Sequence, residues 1–364
     1  MSAPARVRVV VADDSAFMRR LLTDALGKHG FEVVATVNDG DQALKACLEL
    51  RPDVLSLDLT MPGLDGIGVL RGLRPLELPV SVVVVSAFSP AHGAYAVDAL
   101  AEGAVDLVAK PAAGEGLEEF IADLGEKVRL AAASRRRRPA PGHPAAAAQP
   151  GPARPAAAAR PAPGRPRKAP VVMIACSTGG PQALTQLLPK LPSPLGVGTV
   201  IVQHMPPGFT GSLATRLDNA SSLQVREAQD GDRIDSRTAL IAPGGRHLHL
   251  LADRTAKLGD EPPVGALRPR ADLTIVDAVR VFGGDVLLVV LTGMGKDGLD
   301  GAREVRRRGG RILAEAESSC TVYGMPRAIV EAGLADGVYD LNLLPEAIAR
   351  EASGSAAGAG RAAA

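Results

Sequence analysis

The sequence contains no tryptophan, three tyrosines and six phenylalanines, so aromatic residues make up only 2% of the chain. Any hydrophobic core must therefore be built from Val, Leu, Ile and Ala, a composition typical of buried parallel β-sheets. At 364 residues the chain is long enough for two domains with separate cores. The composition therefore favours an α/β protein.

Cysteines are few, and long apolar runs are missing. Cys47, Cys176 and Cys320 are odd in number and lack the paired spacing of a metal site, so we interpret them as reduced cytosolic thiols. The first residues lack the apolar core of a signal peptide. No apolar run approaches the ~20 residues of a membrane span. These absences predict a cytoplasmic protein without membrane insertion.

Acidic residues are absent from residues 131–170, which contain eight Arg and one Lys. The whole chain has a net charge of +1, so removing these nine charges leaves −8, and nucleic-acid binding by the domains is not expected. The segment is rich in Pro and Ala, which predicts a disordered linker over 131–169. The run Arg135–Arg138 could contact nucleic acid or anionic lipid, but a solvated tether is favoured. The small-residue tail 352–364 is also expected to be disordered.

The first third of the chain alternates between short apolar runs and segments with helical spacing. The apolar runs predict five strands, at 7–12, 33–37, 54–57, 80–85 and 105–109. Helices are expected between them, with a last amphipathic helix over 115–130. The alternation predicts a doubly wound parallel sheet with right-handed crossovers.

Polar residues follow the ends of these strands. Asp13 and Asp14 follow the first strand, Asp58 the third, and Ser86 and Lys110 the fourth and fifth. Three carboxylates at one edge of a sheet require a cation, and hard oxygen ligands suit Mg²⁺. The set would suit an aspartyl phosphate, with the lysine neutralising charge. An isolated aspartate would instead suggest a helix cap or a surface turn.

The motifs Val11–Arg20, Leu57–Gly66 and Val108–Pro111 resemble those of response-regulator receiver domains. The resemblance implies a flavodoxin-like receiver over residues 6–130 that is phosphorylated by a histidine kinase. Leu107 replaces a common aromatic residue, a change that bears on how phosphorylation is coupled to that face. Thr60 stands where the family usually has Glu, at a position that contacts metal through its backbone. The implied site comprises Asp58 for phosphorylation, Asp13, Asp14, Asp58 and Thr60 for Mg²⁺, and Ser86 and Lys110 as switch residues.

A strand-to-helix turn at Ile174–Pro181 is the most informative stretch of the second half. The apolar run 171–174 predicts a buried strand, and a helix-compatible run follows at 182–188. Two glycines permit a tight turn, and Pro181 suits the start of a helix. Ser177 on such a turn would expose its hydroxyl beside helix-start amides, as a nucleophile requires. Taken alone, the stretch more often indicates a glycine loop that cradles phosphate.

Two later strands favour the nucleophile. His204 follows the apolar run 200–202, and Asp297 follows the run 286–291. Loops at the carboxyl ends of parallel strands meet at one edge, so we expect Ser177, His204 and Asp297 to lie together. Nucleophile, base and orienting carboxylate are the parts required for acyl transfer. A single His or Asp in a loop is more often a turn residue, but three in matching places favour a triad.

The second half contains further apolar runs. They predict additional strands at 225–227, 239–242, 247–251 and 311–314, and with them a largely parallel three-layer α/β fold. His247 and His249 alternate along one of these strands and could suggest a metal pair.

Four motifs, Ala175–Pro181, Gln203–Phe209, Leu291–Gly298 and Val322–Pro326, resemble the catalytic domain of the chemotaxis protein-glutamate methylesterase, CheB. The resemblance implies an esterase over residues 170–351 whose chemistry needs no cofactor. It implies Ser177 as nucleophile, His204 as general base and Asp297 as the orienting residue. Backbone groups near Thr178 and Met294 are implied as oxyanion donors.

A receiver followed by this esterase is the order found in the methylesterase family. That order implies phosphorylation-regulated hydrolysis of γ-glutamyl methyl esters on methyl-accepting chemotaxis receptors, with deamidation of certain Gln residues. The implied partners are a chemotaxis histidine kinase and the receptors. The resemblance gives His247 and His249 no metal role, so we interpret them as structural.

The chain departs from the family pattern at several positions. Leu267–Arg270 replaces a familiar His-Arg-Pro-Ser, Thr274 occupies a usually aromatic position, and Glu315 stands where Gln is common. The segment 267–274 usually lies near the active site, so its changes bear on substrate choice. Two other functions stay open: a regulatory binding module with vestigial catalysis, and a serine hydrolase with a non-receptor substrate.

Overall fold

The computed structural model describes residues 6–76, 78–87, 90–111, 116–135 and 168–353. The chain divides into two compact units, residues 1–147 and 148–364. Most of the segment predicted as a linker, and nearly all of the predicted tail, lies outside the described residues. Within the described residues, no helix combines the length and apolar character needed to span a bilayer.

The first unit contains a five-stranded parallel sheet in the order β2-β1-β3-β4-β5, as the alternating pattern predicts. Its strands are β1 (Arg8–Ala12), β2 (Glu32–Val37), β3 (Val54–Leu57), β4 (Ser81–Ser86) and β5 (Asp106–Ala109). Its helices are α1 (Ala16–Lys28), α2 (Gly40–Leu50), α3 (Gly66–Leu73), α4 (Pro90–Ala101) and α5 (Leu117–Arg135). The strand order reverses direction between β1 and β3, and the open end of such a switch point is where α/β sheets place their sites.

The last helix of this unit is longer than predicted. The sequence predicts an end near residue 130, but α5 continues to Arg135. Ala131 and Ala132 are buried in the core with Leu124 and Val128, on one face of the helix. The first residues of the predicted linker therefore belong to the helix. The shift to an Ala-rich composition at this point hid the continuing helical periodicity.

The second unit contains a seven-stranded parallel sheet in the order β14-β13-β12-β6-β7-β9-β8. Its strands are β6 (Val171–Cys176), β7 (Gly198–Gln203), β8 (Gln224–Glu227), β9 (Thr238–Ile241), β12 (Val286–Val290), β13 (Arg311–Glu315) and β14 (Gly337–Tyr339). Its helices are α6 (Gly180–Leu187), α7 (Phe209–Asp218), α8 (Ala271–Phe282), α9 (Leu299–Arg307), α10 (Met325–Glu331) and α11 (Leu344–Ala352). The central strands β6, β7 and β12 are fully buried, which explains their unbroken apolar sequences.

One of the predicted strands lies outside this parallel sheet. The strand predicted at 247–251 is β10 (His247–Leu250), which pairs antiparallel with β11 (Ala256–Gly259) in a separate two-stranded sheet. Leu248 and Leu250 are nevertheless buried in the main core of the unit. The alternating pattern identifies the buried face of a strand but not the sheet to which the strand belongs. The short strands β11 and β14 were not predicted.

Lys127 anchors α5 to the sheet of the first unit. Its ammonium donates to the carbonyl of Leu107 at 2.6 Å and pairs with Asp123 at 3.0 Å. Asp106 lies 3.8 Å away, and only 16% of the Lys127 side chain is exposed. The Lys127 ammonium therefore completes a largely buried cluster of opposite charges.

We expect Lys127→Ala to lower the free energy of unfolding by about 2 kcal/mol, because it removes the largely buried ammonium that pairs with Asp123 and Asp106. Lys45→Ala is the matched control, since the Lys45–Glu49 pair is exposed and 4.0 Å apart. Its loss should cost less than ~0.5 kcal/mol. Urea unfolding of the full chain, followed by circular dichroism, measures both. Equal effects of the two substitutions would contradict the anchoring role.

Candidate active site

The three residues of the predicted triad follow three neighbouring strands at the centre of the second sheet. Ser177 comes directly after β6, His204 directly after β7, and Asp297 lies in the loop after β12. The backbone N–H of His204 donates to the carbonyl of Cys176 at 3.1 Å, which ties the ends of β6 and β7 together. The parallel sheet thus brings the loops that carry all three side chains to one edge.

His204 and Asp297 are in direct contact. Nε2 of His204 lies 2.7 Å from Oδ2 of Asp297, and both side chains are largely buried. When Nε2 carries the proton that this carboxylate accepts, Nδ1 presents a lone pair and can act as a base. The pair therefore has the arrangement of an oriented general base.

The Asp297 carboxylate sits at the N-terminus of α8. Its Oδ2 accepts from the backbone N–H of Ala271 at 2.7 Å, and its Oδ1 accepts from those of Asp272 at 3.0 Å and Gly298 at 2.9 Å. Burial disfavours the charged form, but His204 and these amides outweigh it and hold the pKa of Asp297 well below its ordinary value. The carboxylate is therefore ionised and fixed in orientation over the neutral pH range.

Ser177 lies on a sharp turn between β6 and α6. Gly179 adopts a φ of 78°, and a Cβ there would lie 2.5 Å from the side chain of Thr321. The carbonyl of Ser177 accepts from Gly180 N at 2.7 Å and from the Gln203 side chain at 3.0 Å. Within the described residues, no hydrogen bond joins the Ser177 hydroxyl to His204. Such contacts often tighten only when substrate binds.

Cys176 does not compete with Ser177 as a nucleophile. Its side chain is fully buried at the end of β6. Burial, with a smaller contribution from Glu315, raises the pKa of the thiol well above its ordinary value. The thiol therefore stays protonated at neutral pH, when only the thiolate would attack.

The two expected oxyanion donors lie on either side of Ser177. Thr178 follows it on the turn and is buried, whereas Met294 lies on the loop after β12 and is 38% exposed. Gly293, next to Met294, passes so close that a Cβ there would lie 2.8 Å from Cβ of Ser177. The backbone near Met294 thus runs beside Ser177, as the expected oxyanion role requires.

Glu315 holds the loop after β12 in place, a role that the sequence analysis did not predict. Its Oε2 accepts from the backbone N–H of Thr292 at 2.8 Å, and the carbonyl of Thr292 accepts from Ser177 N at 3.0 Å. Oε1 accepts from the Ser319 hydroxyl at 2.9 Å. Glu315 is fully buried, and this burial raises the pKa of its carboxyl. The only signal in the sequence was a Glu where relatives often have Gln.

We expect Glu315→Gln to stabilise the protein increasingly as pH rises. Because the pKa is raised on folding, the native state binds this proton more tightly than the unfolded chain. Stability from Glu315 is therefore highest in acid and falls as pH rises from the unfolded pKa to the folded one. The free energy of unfolding falls by roughly 1.4 kcal/mol for each unit by which the pKa in the folded state exceeds the pKa in the unfolded state. Urea unfolding at pH 4, 6 and 8 measures the gap between the two proteins. A gap independent of pH would contradict a buried titrating carboxyl.

The first unit brings a second set of predicted residues together. Asp13, Asp14 and Asp58 have ligand oxygens within 4.8 Å of one another, and Asp13 and Asp58 are buried. The Lys110 ammonium lies 2.6 Å from Oδ2 of Asp58 and 2.8 Å from Oδ2 of Asp13. Although burial opposes it, these carboxylates raise the pKa of Lys110 and keep it charged. Three oxygen donors with one ammonium form an acidic site that fits a hard divalent cation.

Two other predicted residues of the first unit do not join this cluster through their side chains. The Ser86 hydroxyl donates to the carbonyl of Ala87 at 3.5 Å rather than to a carboxylate. Thr60 is exposed, and its backbone N–H donates to Oδ1 of Asp58 at 3.3 Å. Thr60 is thus placed beside Asp58 through its backbone, whatever its side chain.

His247 and His249 each have a protein partner. Nε2 of His247 lies 3.2 Å from the carbonyl of Pro262, and Nδ1 of His249 lies 2.8 Å from Asp277. Among the residues that the structure describes, only the three aspartates of the first unit cluster as metal ligands would. The histidines therefore do not converge on a common point.

Comparison with known proteins places both units in known families. The response regulator receiver domain model matches residues 9–122, and the CheB methylesterase model matches residues 172–348. Over 353 residues the chain is 43% identical to a protein-glutamate methylesterase/protein-glutamine glutaminase of Symbiobacterium thermophilum, covering 94% of this chain and 96% of the relative. The chain belongs to the CheB family. The relationship suggested by the sequence motifs is thus confirmed.

Two further proteins are also similar to this chain. A protein-glutamate methylesterase/protein-glutamine glutaminase 5 of Myxococcus xanthus is 44% identical over 341 residues, which cover 92% of this chain and 95% of the relative. The crystal structure of the Thermotoga maritima CheB methylesterase catalytic domain shares 41% identity with this chain and has a TM-score of 0.49. The match covers 50% of this chain and 98% of that structure.

Proposed function

We propose that this protein is a phosphorylation-regulated protein-glutamate methylesterase with protein-glutamine deamidase activity. Its substrates would be γ-glutamyl methyl esters on methyl-accepting chemotaxis receptors. The observation that carries the proposal is the buried His204–Asp297 pair, 2.7 Å apart, at the strand end next to Ser177. A base oriented by an ionised carboxylate, beside a serine on a sharp strand-to-helix turn, provides the groups that acyl transfer requires.

The proposal assigns a task to each part of the chain. Residues 6–130, with the rest of α5, form the receiver, residues 136–169 the linker, and residues 170–351 the esterase. A chemotaxis histidine kinase would donate the phosphoryl group in the cytoplasm. Neither nucleic acid nor insertion into a membrane has a part in this function.

The esterase reaction would proceed through an acyl-enzyme. Ser177 Oγ attacks the carbonyl carbon of the ester while His204 takes its proton. His204 then gives that proton to the leaving oxygen, and methanol departs. Water, deprotonated by His204, attacks the acyl-enzyme, restoring Ser177 and leaving a glutamate side chain. With a Gln substrate, ammonia leaves in place of methanol.

Backbone groups would stabilise the oxyanion that forms in each step. We assign this role to the N–H groups of Thr178 and Met294, on the two backbone segments that flank Ser177. Asp297 stays ionised and stabilises the imidazolium of His204 as it forms. These residues supply the acid, the base and the charge stabilisation, so the esterase chemistry needs no cofactor.

We expect Ser177→Ala to lower kcat for methanol release by roughly 10⁴–10⁶-fold, because the nucleophile is lost while little packing changes. The assay measures methanol from receptor methylated with labelled S-adenosylmethionine. Cys176→Ala is the matched control and should keep activity near wild type, since that thiol is buried and protonated. Activity retained in Ser177→Ala but lost in Cys176→Ala would identify Cys176, rather than Ser177, as the nucleophile.

The same assay separates the alternatives. Absence of methanol release from receptor, with hydrolysis of small esters intact, would favour a serine hydrolase with another substrate. Absence of both activities in the phosphorylated protein would favour a regulatory binding module.

His204→Gln should cost nearly as much as loss of Ser177, and Asp297→Asn somewhat less. The pair acts as one unit, so the double variant should be about as slow as His204→Gln alone. Steady-state kinetics of all three variants tests this. Additive losses, or a change in KM alone for His204→Gln, would show that the two groups do not act together as base and orienting residue.

For the receiver we propose phosphorylation of Asp58. Asp13, Asp14 and Asp58, with a backbone oxygen of Thr60, would hold Mg²⁺. When bound, the ion would offset the negative charge of the phosphoryl oxygens. Lys110, already 2.6 Å from Oδ2 of Asp58, would pair with a phosphoryl oxygen, and Ser86 would turn from Ala87 toward it.

Acetyl phosphate with Mg²⁺ should raise the methanol-release rate of the full chain, and Asp58→Asn should abolish this rise. The reason is that the amide cannot accept the phosphoryl group, whereas the esterase residues are unchanged. Asp41→Asn, on the exposed surface of α2, is the control and should respond as wild type does. A response that survives Asp58→Asn would place the phosphorylation elsewhere.

A further inference from the structure

Arg270 lies immediately before α8, against the carboxylate of Asp297. Its Nε is 3.5 Å from Oδ1 of Asp297, and its Nη2 donates to Oδ2 of Asp272 at 2.8 Å. A third bond, from Nη1 to the carbonyl of Val264 at 3.0 Å, fixes the guanidinium. Only 17% of the Arg270 side chain is exposed, so solvent screens these ion pairs weakly.

Asp272 is a second buried carboxyl next to the triad. Its Oδ1 accepts from the backbone N–H of Gly301 at 2.9 Å, which joins α8 to α9. Burial, together with the neighbouring charge of Asp297, raises the pKa of Asp272. Arg270 is the cation that both carboxylates share.

The orientation of Asp297 does not depend on Arg270. Three backbone N–H groups and His204 already occupy both of its oxygens at 2.7–3.0 Å. The guanidinium is too distant, at 3.5 Å, to add a strong hydrogen bond. Its contribution is therefore charge. With Arg270 present, Asp297, Asp272 and Arg270 sum to a single negative charge beside His204, and without it they sum to two.

We propose that Arg270, through its charge beside Asp297 and Asp272, sets the position of the acid limb in the pH dependence of ester hydrolysis. Its positive charge offsets Asp272, so His204 faces one net negative charge. The inference rests on the proposed roles of Ser177, His204 and Asp297. It adds a group that touches neither the substrate nor the reacting atoms.

Two further charged groups on α8 and α9 are largely buried, and each has partners of its own: Asp277 pairs with Arg280 and His249, and Glu304 pairs with Arg307. Lys296 precedes Asp297 in the same loop and is exposed. Asp300, in the first turn of α9, is 68% exposed and pairs with Arg303 at 2.6 Å. Water and salt screen both of these groups more strongly than they screen the buried Arg270–Asp272 pair.

The test is the pH profile of kcat/KM for ester hydrolysis by the full chain, from pH 5 to 9. Arg270→Gln should move the acid limb to higher pH by on the order of 0.5–1 unit, because an extra negative charge favours imidazolium. Asp272→Asn should move it to lower pH, because it removes a negative charge. The double variant Arg270→Gln/Asp272→Asn restores the net charge and should return the limb toward wild type.

Two further variants guard against a purely structural effect. Arg270→Lys keeps the charge and should keep the profile. Arg280→Gln is the matched control on the same helix: Arg280 pairs with Asp277 rather than with the triad, and its profile should be that of wild type. If Arg270→Gln does not fold, as judged by circular dichroism, the unchanged profile expected of Arg270→Lys and the shift to lower pH expected of Asp272→Asn decide the question.

An acid limb that stays in place in Arg270→Gln, or a shift that the double variant does not reverse, would overturn the inference. A uniform loss of kcat at every pH would do the same, since it would reflect structure rather than charge. Ser177→Ala in the same assay separates the two proposals. If Ser177→Ala is inactive and the limb does not move, only the role of Arg270 fails. If Ser177→Ala is active, the proposed function itself fails.

Discussion

In the second unit, the arrangement of the site depends on the Asp297 carboxylate, which is held at the start of α8. Asp297 receives hydrogen bonds from the backbone N–H groups of Ala271, Asp272 and Gly298, and from His204. The N-terminus of a helix carries a partial positive charge, so it stabilises this anion without a metal or a lysine. The same contact joins α8, the loop after β12 and the end of β7. The Asp297 carboxylate therefore both orients His204 and holds these three elements together.

The acidic cluster of the first unit is organised differently. Asp13, Asp14 and Asp58 lie within 4.8 Å of one another, and Lys110 supplies one positive charge to two of them. Carboxylates this close repel one another, so a divalent cation between them would be stabilising. Hydrogen bonds from His204 and three backbone N–H groups already occupy both oxygens of Asp297, which suits a residue that keeps one orientation. The aspartates of the first unit can still accept a cation, which suits a site that changes state.

Most of the fold could be predicted because it rests on patterns that are local in sequence. Apolar runs separated by helical segments specify parallel strands with crossovers, and both main sheets follow. The failures share a cause. Ala131 and Ala132 extend α5 because they meet the core, and β10 (His247–Leu250) leaves the main sheet because its partner is β11. Neither contact is visible in the local pattern that predicts a helix or strand.

The site divides in the same way. The sequence by itself predicted that Ser177, His204 and Asp297 lie together, and likewise the aspartates of the first unit, because each follows a strand and parallel strands end at one edge. Only the tertiary structure decided that Asp272 and Asp297 share the cation Arg270, and that Glu315 accepts a hydrogen bond from Thr292, whose carbonyl accepts one from Ser177. Two of those contacts, Glu315 to Thr292 and Arg270 to Asp297, join residues 23 and 27 positions apart in the chain. The first exists because β13 pairs with β12, and the second because α8 begins beside the loop after β12. No spacing rule in the sequence encodes either distance.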